Sequence, residues 1–366
     1  MSNLRKGKSM LLANGSRRGS VTPPISKSHL HRLLIADFLG GRQDRGKDAK
    51  EDPDDILATK RCLRALASTA EEPVLDCGES GSTARFIRPI AAALGKRPQY
   101  VLRGRLAQRP SIDYERLSPG TFELPGNVSS QFATGLLFAL PLLKGDSQII
   151  FTSPMQSRGY IDLTLEVLQN SGIVIRETEN GFTVAGNQTY IAPLKTLPEI
   201  DWSGAAFWLA MNKLGSEIEV NGLNPDSKQP DKKVIELLSQ DGGNKDMSQC
   251  PDLFPALAVA SAGTPCKTTF TKIERLRIKE SNRVEAVAKL LAALGIKTEE
   301  SESTFTIWGQ AAPFTPNAII ETSSDHRIAM SAAVAASYST KPVEIDNAEC
   351  AAKSYPNFFN EFNAMK

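Results

Sequence analysis

Cysteine is scarce in this chain, with five in 366 residues. Cys62, Cys77, Cys250, Cys266 and Cys350 are odd in number, widely spaced and free of any CxxC pair, which argues against a disulfide framework and a structural zinc site. A reducing compartment is the simplest home, so a cytoplasmic protein is expected. Long apolar runs are missing too. The N-terminal apolar stretch covers only Met10 to Ala13, too short for a signal-peptide core, and no run of about 18 apolar residues occurs, so no membrane partner is expected. Charge of one sign is also lacking. Lysine plus arginine number 43 against 41 acidic residues, and a net charge of +2 gives no bulk field to hold nucleic acid. Any anion must therefore be met by a local cluster of cations. Apolar content of 41%, with 7% aromatic, is enough to build cores for two or three domains at this length.

What is present is a repeat. A Ser, Gly or Asp cluster followed by a helix of small apolar residues occurs six times, in SKSHLHRLLIADFL, GSTARFIRPIAAALG, SSQFATGLLFALPLL, WSGAAFWLAMNKLG, PDLFPALAVASAG and SDHRIAMSAAVAAS. Each start carries residues that cap helices, where unpaired N–H groups and the helix dipole favour an anion. A second, amphipathic helix type lies between several copies, in DDILATKRCLRALA, YIDLTLEVLQNSG, DKKVIELLSQDGG and SNRVEAVAKLLAALG. The first type is expected to be buried and the second to cover it. With Ser28, Gly81, Ser129, Ser203, Asp252 and Ser324 as phase markers, the intervals are roughly 53, 48, 74, 49 and 72 residues. Three are short by about 20 to 25 residues, the length of a two-stranded hairpin with its turn.

Three copies per half predict two similar domains of α/β (α+β) class. The Pro-containing stretch Ala192 to Glu199 is the candidate crossing, giving one lobe at 20–199 and a discontinuous one at 1–19 with 200–366. A ligand cleft would lie between them.

Cations gather near these helix starts or in the loops. Lys27, Ser28 and Arg32 lie in PPISKSHLHR, Arg105 and Arg109 in RGRLAQRP, Ser129, Ser130 and Gln131 in GNVSSQF, and Ser157, Arg158 and Tyr160 in MQSRGYID. The second half carries Asp252 in CPDLFP, Lys279, Glu280 and Arg283 in LRIKESNR, His326 and Arg327 in SSDHR, and Lys353 in CAAKSYP. Taken singly, each has a plainer reading. Glu280 with Arg283 is a surface i,i+3 pair, serines at helix starts are caps, His326 is structural, and His29-x-His31 has no third ligand nearby for zinc.

As an ordered set, these strings resemble the 5-enolpyruvylshikimate-3-phosphate synthase family from about Gly19 to Phe359. SKS-x-x-x-R, VSSQ, KES-x-R, DHR-x-AM and AKSYP are each short, but five in the right order are highly specific. The resemblance implies two inside-out α/β barrel-like domains of three repeated units each, several of them shortened here by a hairpin. It also implies enolpyruvyl transfer from phosphoenolpyruvate to the 5-hydroxyl of shikimate 3-phosphate, with no metal and no cofactor, in a monomer or weak homo-oligomer. By motif, Lys27, Arg105, Arg283, Arg327 and Lys353 would hold phosphoenolpyruvate, Lys279 would belong to the substrate-binding set, and Gly81 would let the ligand approach the backbone. Ser129, Ser130 and Ser157 would hold the shikimate phosphate, Ser28, Arg32 and Tyr160 would orient the ring or its carboxylate, and Gln131 would bridge the ligands. Asp252 and Glu280 would carry protons, with Lys27 and Lys353 as possible donors. These residue types suit the task because the two substrates together bring four anionic groups, which repel unless cations and oriented donors are already in place.

The chain departs from the family pattern at Asn282, which replaces an aspartate that could orient Arg283, and at Arg275, Glu79 and Ser82. The larger departure is length, since only short loops stand at Arg109 to Pro125 and at Leu238 to Cys250. The alternatives are a trimmed homologue that binds without turnover, and UDP-N-acetylglucosamine enolpyruvyl transferase, which usually has KN where this chain has Lys27-Ser28, and a loop cysteine. A serine hydrolase fails because Ser82 takes the last glycine of G-x-S-x-G, and no GxxxxGK[ST] string occurs.

Overall fold

A computed structural model describes residues 8–42, 47–49, 52–112, 114 and 116–366. The chain forms two compact units, the first made of the residues up to Ser26 with Ile200–Lys366, the second of Lys27–Glu199. The first unit begins with strands β1 (Met10–Leu12) and β2 (Arg18–Val21). The expected crossing at residue 19 moves to 26 because the later strand at Glu217–Val220 pairs with β2 along its full length, and Ile25 bridges Ile200.

The Lys27–Glu199 unit runs α1 (Lys27–Leu39), α2 (Asp54–Leu66), β3 (Val74–Gly78), α3 (Gly81–Ala93), β4 (Gln99–Leu102), β5 (Thr121–Leu124), α4 (Ser130–Ala139), β6 (Ser147–Phe151), α5 (Arg158–Asn170), β7 (Ile175–Thr178) and β8 (Gly181–Val184). The other unit continues with α6 (Trp202–Lys213), β9 (Glu217–Val220), α7 (Val234–Ser239), β10 (Gly243–Asp246), α8 (Phe254–Ala262), β11 (Lys267–Thr271), α9 (Arg283–Ala293), β12 (Lys297–Glu300), β13 (Thr304–Trp308), α10 (His326–Ser337), β14 (Val343–Ile345) and α11 (Phe358–Ala364). All six small-residue helices form. The four amphipathic segments form α2, α5, α7 and α9, and among the described residues no helix is long and apolar enough to cross a membrane.

The sheets explain the unequal intervals. Each unit has one four-stranded sheet, β5-β6-β8-β7 in one and β10-β11-β13-β12 in the other, with matching parallel and antiparallel pairings. The hairpins β7–β8 and β12–β13 fall inside the two long intervals. The remaining sheets have two strands each, β1-β14, β2-β9 and β3-β4. Among the described residues the three short intervals hold no such hairpin, while the buried helices stay.

Those helices are buried because small side chains let neighbours approach from several sides. Every residue of α8 and of α10 is buried, and α10 packs on both α8 and α6. In the other unit α3 meets α4 at Gly135, where an added Cβ would lie 2.3 Å from the Arg85 carbonyl oxygen. Pro89, four residues on, has no N–H to offer that carbonyl, so α3 can turn it toward α4. Phe254 at the start of α8 meets Phe270 and Phe305 edge-on, with centroids 5.2 and 5.5 Å apart, and anchors the turn that carries Asp252. Phe254→Ala is expected to cost about 3–5 kcal/mol. A denaturant midpoint equal to that of the native chain would show that these contacts do not hold α8.

Candidate active site

In the Lys27–Glu199 unit, polar side chains collect at the starts of α1, α3 and α4. Lys27 opens α1 and its Nζ lies 2.7 Å from Asp55 Oδ2 on α2, with both side chains largely buried. One turn on, His31 Nδ1 is 2.7 Å from Thr59 Oγ1, which is 2.6 Å from Thr83 Oγ1. Thr83 in turn donates to Ser80 Oγ at 2.7 Å. Burial pushes His31 down to about 3, so it is neutral in this chain and serves as a hydrogen-bonded part of the helix packing. His29 accepts from the Glu199 N–H at 3.2 Å.

Arg32, expected to orient a ligand, is buried and engaged within the protein. Its Nε donates to Thr164 Oγ1 at 2.8 Å, Nη2 to the Tyr160 carbonyl at 2.8 Å, and Nη1 to the Ser28 carbonyl, while Phe86 lies 5.1 Å from the guanidinium carbon. Burial lowers it to about 9. It ties α1 to α5, and Ser28 and Tyr160 enter this arrangement through their carbonyls.

Gly81 begins α3. A Cβ there would stand 3.1 Å from Nη1 of both Arg109 and Arg85, so the absent side chain makes room for two guanidinium groups. Arg85 donates to Gln131 Oε1 at 2.6 Å and to the Pro110 carbonyl at 3.0 Å, both neutral acceptors. Gln131 Nε2 donates to Ser82 Oγ at 2.8 Å, and Ser129 caps α4 by accepting the Gln131 N–H at 3.3 Å. Arg105, by contrast, is exposed on the 3-10 turn Gly104–Gln108, and Arg109 just after that turn is the one beside Gly81. Ser130 is the first residue of α4, and Ser157, buried with φ 59°, holds a left-handed conformation before α5.

The first unit, with Ile200–Lys366, concentrates charge. Asp252 Oδ1 accepts from Arg283 Nη1 at 2.8 Å and lies 3.5 Å from Lys279 Nζ, while Oδ2 accepts from Arg327 Nη2 at 3.0 Å. Arg283, 1% exposed, also donates from Nη2 to Glu280 Oε2 at 2.7 Å and from Nε to Asp325 Oδ2 at 2.9 Å. Arg327 reaches Ser203 Oγ at 3.1 Å, and that hydroxyl donates to the Asp201 carboxylate. Burial alone would raise Asp252, but Arg327, Lys279 and Arg283 outweigh it and hold the carboxyl well below its usual range. Burial pushes Lys279 down to about 8 despite Asp252 beside it. For Arg283, the carboxylates of Asp325, Glu280 and Asp252 overcome burial and raise it.

The helix starts of α6 and α10, expected to be open to an anion, are occupied by the chain's own aspartates. Asp201 accepts the Ser203 N–H at 3.1 Å and Asp325 the Arg327 N–H at 3.0 Å. Asn282 caps α9 by accepting the Glu285 N–H, and Arg275 ties its turn to the Ser248 carbonyl at 2.8 Å. Lys353 is half-buried at the end of the 3-10 turn Glu349–Lys353. Sequence reasoning missed Asp55, Arg85 and Asp325 as members of these clusters. Asp325 stood in the DHR string and Arg85 in GSTAR, but nothing local marked Asp55 as the partner of a lysine 28 residues away.

A model of the family "EPSP synthase (3-phosphoshikimate 1-carboxyvinyltransferase)" matches residues 107–245 and 239–362. The chain belongs to the EPSP synthase family. Proteins named 3-phosphoshikimate 1-carboxyvinyltransferase from Clostridioides difficile and Clostridium botulinum are 34% and 35% identical to it, over 95% and 96% of both chains. Each alignment runs over 417 positions against a chain of 366 residues, so dozens of them face a gap here, as the missing hairpins require. Among solved structures, an EPSP synthase from Acinetobacter baumannii matches with TM-score 0.72 at 22% identity over 97% of both chains. The enolpyruvyl transferase NikO from Streptomyces tendae matches with 0.69 at 15% over 98% of both. These two share the fold.

For this EPSP synthase family member the lowered Lys279 gives a pH test. Its folded-state value lies below the unfolded one, so the chain binds fewer protons than its unfolded form between about pH 8 and 10.5, and loses a cation from the cluster as pH rises past 8. Calorimetric affinity for phosphoenolpyruvate should fall across that rise in the native chain and stay flatter in Lys279→Arg, which keeps its charge. Parallel curves for the two proteins would remove Lys279 from anion binding.

Proposed function

We propose that this chain transfers the enolpyruvyl group of phosphoenolpyruvate to the 5-hydroxyl of shikimate 3-phosphate and releases phosphate. The observation that carries the reading is Asp252 held by Arg283, Arg327 and Lys279, with Glu280 on the same arginine, in a member of the EPSP synthase family. In the addition step the methylene carbon takes a proton, and the hydroxyl oxygen bonds to the central carbon as its own proton leaves. In the elimination step a methyl proton leaves and the bond to phosphate breaks. One carboxylate near the hydroxyl and one near the methylene meet that need, and we assign Asp252 and Glu280 to them.

The charges suggest how Asp252 is switched on. Its depressed proton affinity makes it a weak base while it holds all three cations. An arriving phosphate or carboxylate competes for Arg327 and Lys279, and the proton affinity of Asp252 then rises when a base is needed. Lys27, Arg109, Arg283, Arg327 and Lys353 complete the proposed set for phosphoenolpyruvate, with Arg109 in place of Arg105. Ser129, Ser130, Ser157 and Gln131 are assigned to the shikimate phosphate and its neighbour. Operation in the cytoplasm, as a monomer or weak homo-oligomer, is part of the same reading and is supported by five free cysteines. Sedimentation checks the oligomeric state.

A phosphate-release assay with both substrates tests the reaction. The native chain should turn over, and Asp252→Asn or Glu280→Gln should lose about 10²–10⁴-fold in kcat. Substrate binding without release would instead favour a trimmed homologue that does no chemistry. In the same assay Arg109→Ala should raise KM for phosphoenolpyruvate about 10-fold or more, as expected for loss of a charge-assisted contact, while Arg105→Ala changes it little. The reverse ranking would restore Arg105.

A further inference from the structure

Arg283 and Arg327 stand on different helices, and their N–H groups meet a single buried carboxylate. Asp325, fully buried, accepts from Arg283 Nε and from Ser281 Oγ at Oδ2, both at 2.9 Å, and from the Arg327 backbone N–H at Oδ1, at 3.0 Å. Its place is fixed from behind. Thr322 donates from its N–H and its hydroxyl to Asp346 Oδ1 at 2.9 and 2.8 Å, and the Asp325 N–H bonds the Thr322 carbonyl at 2.9 Å. Ser323 and Ser324 between them both take left-handed backbone, with φ 53° and 54°. Two consecutive non-glycine residues in that region cost conformational energy, and they persist where surrounding bonds over-determine them. Asn282, beside Arg283, caps α9 and brings no charge.

From this we infer that Asp325 is a positioning residue, its one carboxylate setting Arg283 from the start of α10 while capping the helix that carries Arg327, so that both arginines are aimed at the same phosphoenolpyruvate. The inference rests on the enolpyruvyl-transfer reading. Asp325 touches no reacting atom in this account. It spends one face of Arg283 on an internal partner, leaving Nη1 and Nη2 to the groups that do the chemistry, Asp252 and Glu280. Arg283 without Asp325 would share its full charge between those two carboxylates and turn about its side-chain bonds toward them.

The test uses the full chain carrying Asp325→Asn, Ser281→Ala, Arg283→Lys or the pair Asp325→Asn with Arg283→Lys. Each is measured by steady-state kinetics and by calorimetry of phosphoenolpyruvate with shikimate 3-phosphate present. Asp325→Asn should raise KM and Kd for phosphoenolpyruvate at least 10-fold, with KM for shikimate 3-phosphate within 2-fold of native. Ser281→Ala, which keeps the carboxylate and loses one donor to it, should raise KM for phosphoenolpyruvate by 2- to 5-fold and decides the matter if Asp325→Asn does not fold. The paired variant should be no worse than Arg283→Lys alone, because Asp325 acts through that side chain. A role in stability only would lower the melting temperature and leave KM and Kd of the folded fraction at native values, and that result overturns the inference, as would losses that multiply in the paired variant. Native protein that binds phosphoenolpyruvate without releasing phosphate sinks the catalytic reading alone, and the calorimetric comparison still decides the role of Asp325. Native protein that binds neither substrate sinks both.

Discussion

A buried guanidinium shared by three carboxylates is the constraint on which the first unit depends. Arg283 is almost wholly out of water, and it stays charged because Asp252, Glu280 and Asp325 take its three nitrogens. Removing one partner from such an arrangement costs about 3–5 kcal/mol, since the charge left behind cannot be rehydrated in place. The three carboxylates arrive from three separate places, the turn before α8, the loop before α9 and the start of α10. Holding them together is therefore equivalent to holding those elements in register. Packing supplies the rest, because the aromatic cluster around Phe254 fixes the first and the all-buried α10 fixes the third.

The second unit, Lys27–Glu199, solves a different problem. Around Gly81 two guanidinium groups come close together beside a neutral glutamine and a carbonyl, and the helix starts there are capped by Ser80 and Ser129. Asp252 and its partners, by contrast, are nearly self-neutralised, so an arriving anion must compete for cations that already hold carboxylates.

Shortening has touched neither cluster. The hairpins of the long intervals, β7–β8 and β12–β13, hold none of the cluster residues, and the helices that carry Lys27, Gly81, Gln131, Arg283 and Arg327 are all formed. A two-stranded parallel sheet still reaches each short interval, β3 with β4 in the first two and β2 with β9 in the third. The cost falls on buried apolar area, which scales with how much surface each unit covers.

The sequence by itself determined the repeat, the helix types and the missing hairpins, because periodicity and interval are properties of neighbouring residues and of simple counts. It also named most of the charged residues that meet in the two clusters, since five short strings in order leave little room for another family. What only the tertiary structure decided is which of those charges meet. Arg109 rather than Arg105 stands beside Gly81, Arg32 turns inward to Thr164 and Tyr160, and Asp325 takes the orienting part that Asn282 does not fill. Those outcomes depend on how far two helices approach and which way a side chain leaves its backbone. Spacing along the chain carries no trace of either, because the partners are brought together from 28 to 132 residues apart by packing alone.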